Sequence, residues 1–280
     1  MNKRKSDYKI IETTKNVYAF LYNSRLRLGK VLYYYAPFMF GAFTFDILLK
    51  LFSNNPFPTI SLLMSIIVYS LCAISWHRIT LLGEKNTEFI SPFKPSKSDF
   101  KFIGAYLFVV LLTMLSLGIL YVAALILETP IFGISKNTFT TIALSVSGFI
   151  SAIFVMSYVP FRFSLYFPGQ AIGSQRKLFD AFKLTKGYFL KFAGVCFLVL
   201  APIYTISSLY AFLSNVLIAE FISKEVLENP RLKFSIELLQ ELPNSAVFMP
   251  IAAMFGASIL SDFYAHVLKE EKYKRLGRRS

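Results

Sequence analysis

The stretch Met156–Gly194, MSYVPFRFSLYFPGQAIGSQRKLFDAFKLTKGYFLKFAG, decides how the chain is read. An apolar run ends at Pro160-Phe161-Arg162, a basic amphipathic segment follows, and a second apolar run opens at Phe192. Within the segment, Ser174 is the expected cap of a short helix. Its Leu178, Phe179 and Phe182 would face lipid while Arg176, Lys177, Lys183 and Lys186 face phosphates. Gly187 would end it, as glycine commonly does just past a helix C-terminus. A basic linker between apolar helices points to an all-α, polytopic membrane protein.

The rest of the chain agrees. Of 280 residues, 55% are hydrophobic and only 16% charged, against about 25% charged in soluble domains. Crossing the hydrocarbon takes about 20 predominantly apolar residues. Phe102–Leu127, Phe139–Phe161 and Phe192–Ala219 run for 26, 23 and 28 residues without a charge. Val31–Phe52, Thr59–Thr80 and Ala246–Leu268 are weaker but sufficient. Six transmembrane helices are therefore expected, at about 31–52, 59–80, 102–127, 139–161, 188–222 and 246–268. They make a membrane domain at 31–268 between a basic amphipathic N-terminal segment, 1–30, and a basic tail, 269–280. The fifth span, about 52 Å long as one helix, must tilt, kink at Pro202 or project. Thirty mixed residues ahead of the first span argue against a cleavable signal peptide.

The net charge of +14 is explained by topology. Alternate segments (1–30, 78–101, 162–191 and 269–279) hold 25 of the 30 Lys and Arg against 8 acids, a net +17. The intervening segments hold 5 cations against 6 acids, a net −1, and Asp46 and Asp262 sit within spans. Such a bias places both termini in the cytoplasm and needs no nucleic-acid partner.

In the N-terminal segment, Ile10, Val17 and Leu21, with Ile11, Tyr18 and Tyr22, fall roughly on one face. One helix over Tyr8–Leu28 in the inner headgroup layer would use that face. Ser96-Lys97-Ser98-Asp99 reads as the start of the third span. Trp76, the only tryptophan, sits where an aromatic belt is expected. Cys72 and Cys196 read as small apolar filler. Arg231–Leu242 forms an amphipathic piece of the one substantial external segment.

The stretch around Arg162 has a fainter twin. Arg162-Phe163-Ser164-Leu165 matches Arg78-Ile79-Thr80-Leu81, and Leu190-Lys191-Phe192-Ala193-Gly194 matches Phe100-Lys101-Phe102-Ile103-Gly104. The offsets of 84 and 90 residues suggest a repeat of one helical hairpin plus its linker, used three times in parallel orientation.

Charges inside spans usually mark a site or a pair. Asp46 has Lys50 one turn on, an expected structural pair. His77 and Arg78, then Arg162, then Asp262 and His266 end the even-numbered spans at one depth. Three readings stand. In one, Asp262 neutralises Arg78 or Arg162 in a structural network. In another, Arg78 and Arg162 hold an anionic lipid phosphate. In the last, Asp262 and His266 line a proton or solute path. Two histidines outside any HExxH pattern, with no GxSxG, P-loop or GxGxxG, give no support for an enzyme, a metal or a cofactor.

The segments WHRITLLGE and RFSLYFPGQAIG…AFKLTKGYFLKFAG resemble a family of bacterial inner-membrane proteins. It includes the YciC-like proteins and the membrane domain found beside glycerophosphodiester phosphodiesterase domains. The likeness covers about Leu71–Gly104 and Met156–Leu200. It implies a six-helix inner-membrane protein, and the chain leaves no room for the phosphodiesterase itself. The expected function is non-enzymatic engagement of anionic lipids or membrane partners at the cytoplasmic face. A secondary carrier or channel, and a scaffold for a membrane complex, are the alternatives.

Overall fold

The computed structural model describes residues 8–52, 59–83, 95–127, 138–174, 176–222 and 228–276. Asn54-Asn55-Pro56-Phe57-Pro58, which reads as a tight polar turn into the second span, Glu128-Thr129-Pro130, which reads as the end of the third, and the end of the basic tail lie outside them. All regular structure among the described residues is helical. The order is α1 (Ile10–Asn23), α2 (Arg25–Phe52), α3 (Thr59–Leu82), α4 (Lys97–Leu127), α5 (Thr138–Phe163), α6 (Tyr166–Ala171), α7 (Leu178–Leu184), α8 (Phe189–Phe221), α9 (Pro230–Pro243), a π-helical turn Asn244–Phe248, and α10 (Met249–Leu276).

Six segments, α2, α3, α4, α5–α6, α8 and α9–α10, are long and apolar enough to cross a membrane. Their outer surface is apolar as well: Leu111, Leu115, Ile119, Ile150 and Phe212 are all exposed, Leu111 at 67%. Such a surface suits lipid and not water. The chain is a multi-pass membrane protein by this criterion.

Helix boundaries follow local chemistry. At the start of α4, Asp99 Oδ2 accepts from the Ser96 N–H at 2.8 Å and from the Ser96 hydroxyl at 2.7 Å, and the Asp99 N–H returns a bond to Ser96 Oγ at 3.2 Å. This is the reciprocal box expected of Ser-x-x-Asp. Asn229 caps α9 by accepting from the Arg231 and Leu232 N–H groups, with Pro230 in the first turn. Gly187, at φ +85°, takes the left-handed turn before α8, where a side chain would strain the backbone. α8 itself runs unbroken through Pro202 for 33 residues, about 50 Å.

Two expectations about boundaries are corrected. The N-terminal segment is two helices abutting at Ser24, since α2 already starts at Arg25. Ser174 is not the cap of α7: its Oγ accepts from the Arg176 N–H at 3.4 Å, and the helix starts after Lys177, whose N–H donates to Asp180 Oδ2 at 3.2 Å.

Five helices make a closed ring in which each touches the next: α3, α4, α5, α8, α10 and back to α3. α2 packs outside α3, α9 packs on α2, and α1 lies across α8 and α10. Apolar surface gives little drive for association inside lipid, so close approach and polar contacts matter more. The α3–α10 seam has both. Gly256, Ala257, Ser258 and Ser261 keep α10 slim, and two buried side-chain bonds cross the seam, Trp76 Nε1 to Ser258 Oγ at 2.6 Å and His77 Nδ1 to Ser261 Oγ at 2.8 Å. Trp76 is fully buried, which corrects the expected belt position: an indole N–H with an internal acceptor has no need of the interface.

α1 uses its two apolar rows differently. Val17 and Leu21 are buried, and Ile10 packs on Gly194, where any added Cβ would meet its Cδ1 at 3.1 Å. Ile11 and Tyr22 point outward. The Tyr18 hydroxyl, on the outer row, still donates to the Leu198 carbonyl at 2.9 Å.

Candidate functional site

The ring frames a partly open cavity of about 1320 Å³, larger than the ~300–1,000 Å³ of ordinary small-molecule sites. Its wall is built from Tyr69, Ser70, Ala73 and His77 on α3, Phe102, Tyr106, Val109 and Thr113 on α4, and Ser157, Pro160 and Phe161 on α5. Phe192, Cys196, Leu200, Tyr204 and Ser208 on α8, and Ala253, Gly256, Ala257 and Leu260 on α10, complete it. None of the described residues lining it is Lys, Arg, Asp or Glu. Along α8 the lining runs from Phe189 to Ser208, close to 28 Å of helix at ~1.5 Å per residue. The cavity therefore reaches through much of a hydrocarbon core.

One end of the cavity is stoppered. α6 turns inward after α5, with Phe167, Pro168, Gly169, Gln170 and Ala171 all buried. It fits against α3, α4 and α10, and at Gly169 a Cβ would meet the Tyr264 hydroxyl at 3.1 Å. Ser98 Oγ donates to the Gln170 carbonyl at 3.1 Å and lies 3.0 Å from Gln170 Nε2. Phe102 and Phe167 rings meet at 5.0 Å, and His77 sits 6.1 Å from Phe102. Ser164, between α5 and α6, also borders the cavity, and its buried Oγ has no hydrogen-bond partner.

The charged residues expected to converge are held apart by separate partners. Arg78 Nη2 donates to Asp99 Oδ1 at 2.8 Å and its Nε to the Ala171 carbonyl at 2.8 Å. Arg162 is buried: Nη2 donates to the Phe182 carbonyl at 2.6 Å, and the guanidinium lies 3.7 Å from the Phe182 ring centroid. Thr185 Oγ1 donates back to the Arg162 carbonyl at 3.1 Å, so Arg162 fastens α5 to α7. The expected neutralisation by Asp262 is corrected on both counts. Asp99, already placed at the helix start by Ser96, reaches Arg78 first, and an aromatic face with a carbonyl serves Arg162.

Asp262 and His266 form a different group, one turn apart on α10. Tyr8 stands over them, its ring 5.1 Å from His266 and 5.3 Å from Phe263, and Tyr188 is 6.5 Å from His266. Burial raises the Tyr8 phenol well above its ordinary value, and the nearby Asp262 charge adds to the rise. Neither Asp262 nor His266 lines the cavity.

Asp46 is a cap and not Lys50's partner. Its Oδ2 accepts from the Ser61 N–H at 2.7 Å and its Oδ1 from the Ile60 N–H at 3.3 Å, which neutralises the free donors at the start of α3. Lys50 lies instead over the Phe234 ring of α9, 5.0 Å from its centroid. On α7, Lys177, Lys183 and Phe179 are exposed and Arg176 is half-buried.

Sequence reasoning missed α6 and the cavity. Pro168-Gly169 was the available signal for an inward turn, since neither residue suits a long helix interior. The cavity has no such signal, because a phenylalanine facing a void reads like one facing lipid. Among the described residues no group of three His, Cys, Asp or Glu is placed to hold a metal. Comparison with protein-family models, curated proteins and solved structures finds no match to this chain.

Proposed function

We propose that this chain is a non-enzymatic, multi-pass protein of the bacterial inner membrane that takes a lipid into the cavity of its helical ring. The observation that carries this reading is the cavity itself, about 1320 Å³ in volume, walled mainly by aromatic and aliphatic side chains with scattered hydroxyls such as Ser70, Thr113, Ser157 and Ser208, and bordered by no described charge. A charged solute would lose its hydration there and meet no counter-charge, whereas acyl chains would lose nothing. That contrast favours a lipid ligand over the carrier and channel readings, which need a polar site near mid-membrane.

In this reading the six spans are three hairpins, α2–α3, α4–α5 and α8–α10, with both termini cytoplasmic by the charge bias. α1 and α7 lie at the inner interface. Exposed Lys177 and Lys183, beside exposed Phe179, suit contact with anionic headgroups around the protein. Arg78 and Arg162 serve the fold. The motifs resembling the YciC-like family, WHRIT and RFSLYFPG, supply the two arginines, His77 and the stopper, so the resemblance falls on the parts that shape the cavity's closed end.

Native mass spectrometry of the purified chain tests the proposal. Gly256 borders the cavity with open space where its Cβ would stand, so Gly256→Phe fills the void from within a regular helix. Wild type is expected to carry co-purifying lipid that Gly256→Phe lacks. Equal lipid on both proteins would refute the cavity as the binding site.

A further inference from the structure

Resting on the lipid reading above, we infer that the cavity selects an uncharged, hydroxyl-bearing lipid, of the diacylglycerol or long-chain alcohol class. Its head lies at the stoppered end against His77 and Ser164.

The first argument is electrostatic. A phosphate or carboxylate drawn to that end would meet no lysine or arginine among the described lining residues. An unpaired buried anion costs several kcal/mol. Of the nearest cations in sequence, Arg78 is held by Asp99 and the Ala171 carbonyl, and Arg162 by the Phe182 carbonyl and ring; the buried Arg162 Nε has no hydrogen-bond partner, but Arg162 does not line the cavity. An anionic head would therefore stay at the protein's rim, and only a neutral head gains by going in.

The second argument concerns which neutral head. His77 is 1% exposed, and with Nδ1 committed to Ser261 its Nε2 is the ring nitrogen left for a ligand. Depending on the tautomer, Nε2 either accepts or donates. Ser164 is 5% exposed, and its Oγ is a buried hydroxyl with no partner, a state that is unfavourable until something bonds it. A ligand hydroxyl both donates and accepts, so it satisfies Ser164 and either state of His77. A lone ester carbonyl only accepts. The rest of the closed end is Phe102, Phe161 and Phe167, which suits the carbon chain behind such a head.

The test uses the full chain, delipidated in detergent and offered an equimolar mixture of dioleoylglycerol, dioleoylphosphatidylglycerol and oleate, with adducts counted by native mass spectrometry. Dioleoylglycerol is expected to dominate on wild type. Ser164→Ala and His77→Phe are each expected to weaken it about fivefold, the worth of one net hydrogen bond, and to leave phosphatidylglycerol adducts unchanged. Because the Ser164 side chain makes no bond in the fold, Ser164→Ala carries the test if His77→Phe misfolds. Phosphatidylglycerol or oleate binding as well as dioleoylglycerol, with Ser164→Ala inert and Gly256→Phe removing all three, would overturn the head assignment and spare the cavity. Undiminished binding of all three lipids by Gly256→Phe would bring down the cavity reading itself.

Discussion

Arg78 and Asp99, twenty-one residues apart, close a ring of chain at the end of α3: Nη2 donates to Oδ1 at 2.8 Å. Arg162 and Phe182 repeat the arrangement twenty residues apart at the end of α5, with a carbonyl in place of the carboxylate. Arg78 ties the end of α3 to the first turn of α4, and Arg162 ties the end of α5 to α7. The two ties are what the sequence match between Arg78-Ile79-Thr80-Leu81 and Arg162-Phe163-Ser164-Leu165 looks like in space.

Breaking the charged tie should be costly. The Asp99 side chain is 3% exposed and that of Arg78 23%, and removing one partner of a buried pair costs about 3–5 kcal/mol. Asp99→Ala and Arg78→Ala are each expected to lower stability by roughly 3 kcal/mol. The double variant should lose less than the two losses added. Denaturant titration of the detergent-solubilised protein checks this, and strictly additive losses would show the pair is not coupled.

Trp76 offers a built-in reporter. As the only tryptophan, fully buried against Ser258, it should emit at short wavelength and resist quenching by acrylamide. Ser258→Ala leaves the indole N–H unbonded, at an expected cost of about 1–3 kcal/mol. Emission at a solvent-exposed wavelength in the wild type would contradict the α3–α10 seam.

At the other end of the spans, Asp46 and Lys50 should behave differently. Asp46→Ala strips the cap from α3 and is expected to cost about 1–2 kcal/mol. Lys50→Ala loses only a cation–π contact, about 0.5–1 kcal/mol. Similar losses from both, cancelling in the double variant, would restore the ion pair that their spacing suggests.

Two glycines should respond with opposite sign to alanine. Gly187 holds φ +85°, so Gly187→Ala is expected to destabilise by about 1–2 kcal/mol. Gly256 lies in regular helix with open space at its Cβ position, so Gly256→Ala should stabilise by about 0.5–1 kcal/mol. Thermal unfolding midpoints read both.

The six apolar helices were legible because hydrocarbon-length runs without charge have few other uses. Ser96 and Asp99 gave the start of α4 because a capping box is local chemistry. What the chain could not disclose was who meets whom at a distance. Asp262 looked like the natural partner for Arg78 because both end spans. Asp99 wins because the first turn of α4 lies beside the end of α3, a fact of packing. Trp76 was misplaced for the same reason: its acceptor, Ser258, is 182 residues away. The cavity was invisible because its lining is chemically the same as the lipid-facing surface.

The Tyr18 hydroxyl and the Leu198 carbonyl are 180 residues apart, and that separation sets a schedule for the growing chain. At ~5–20 residues per second, α1 waits roughly 10–40 s for its berth on α8 to be made. Through that interval Val17 and Leu21 have only the bilayer or a chaperone to cover them. The helix is thus synthesised well before its partner, and its docking reports that α8 is in place.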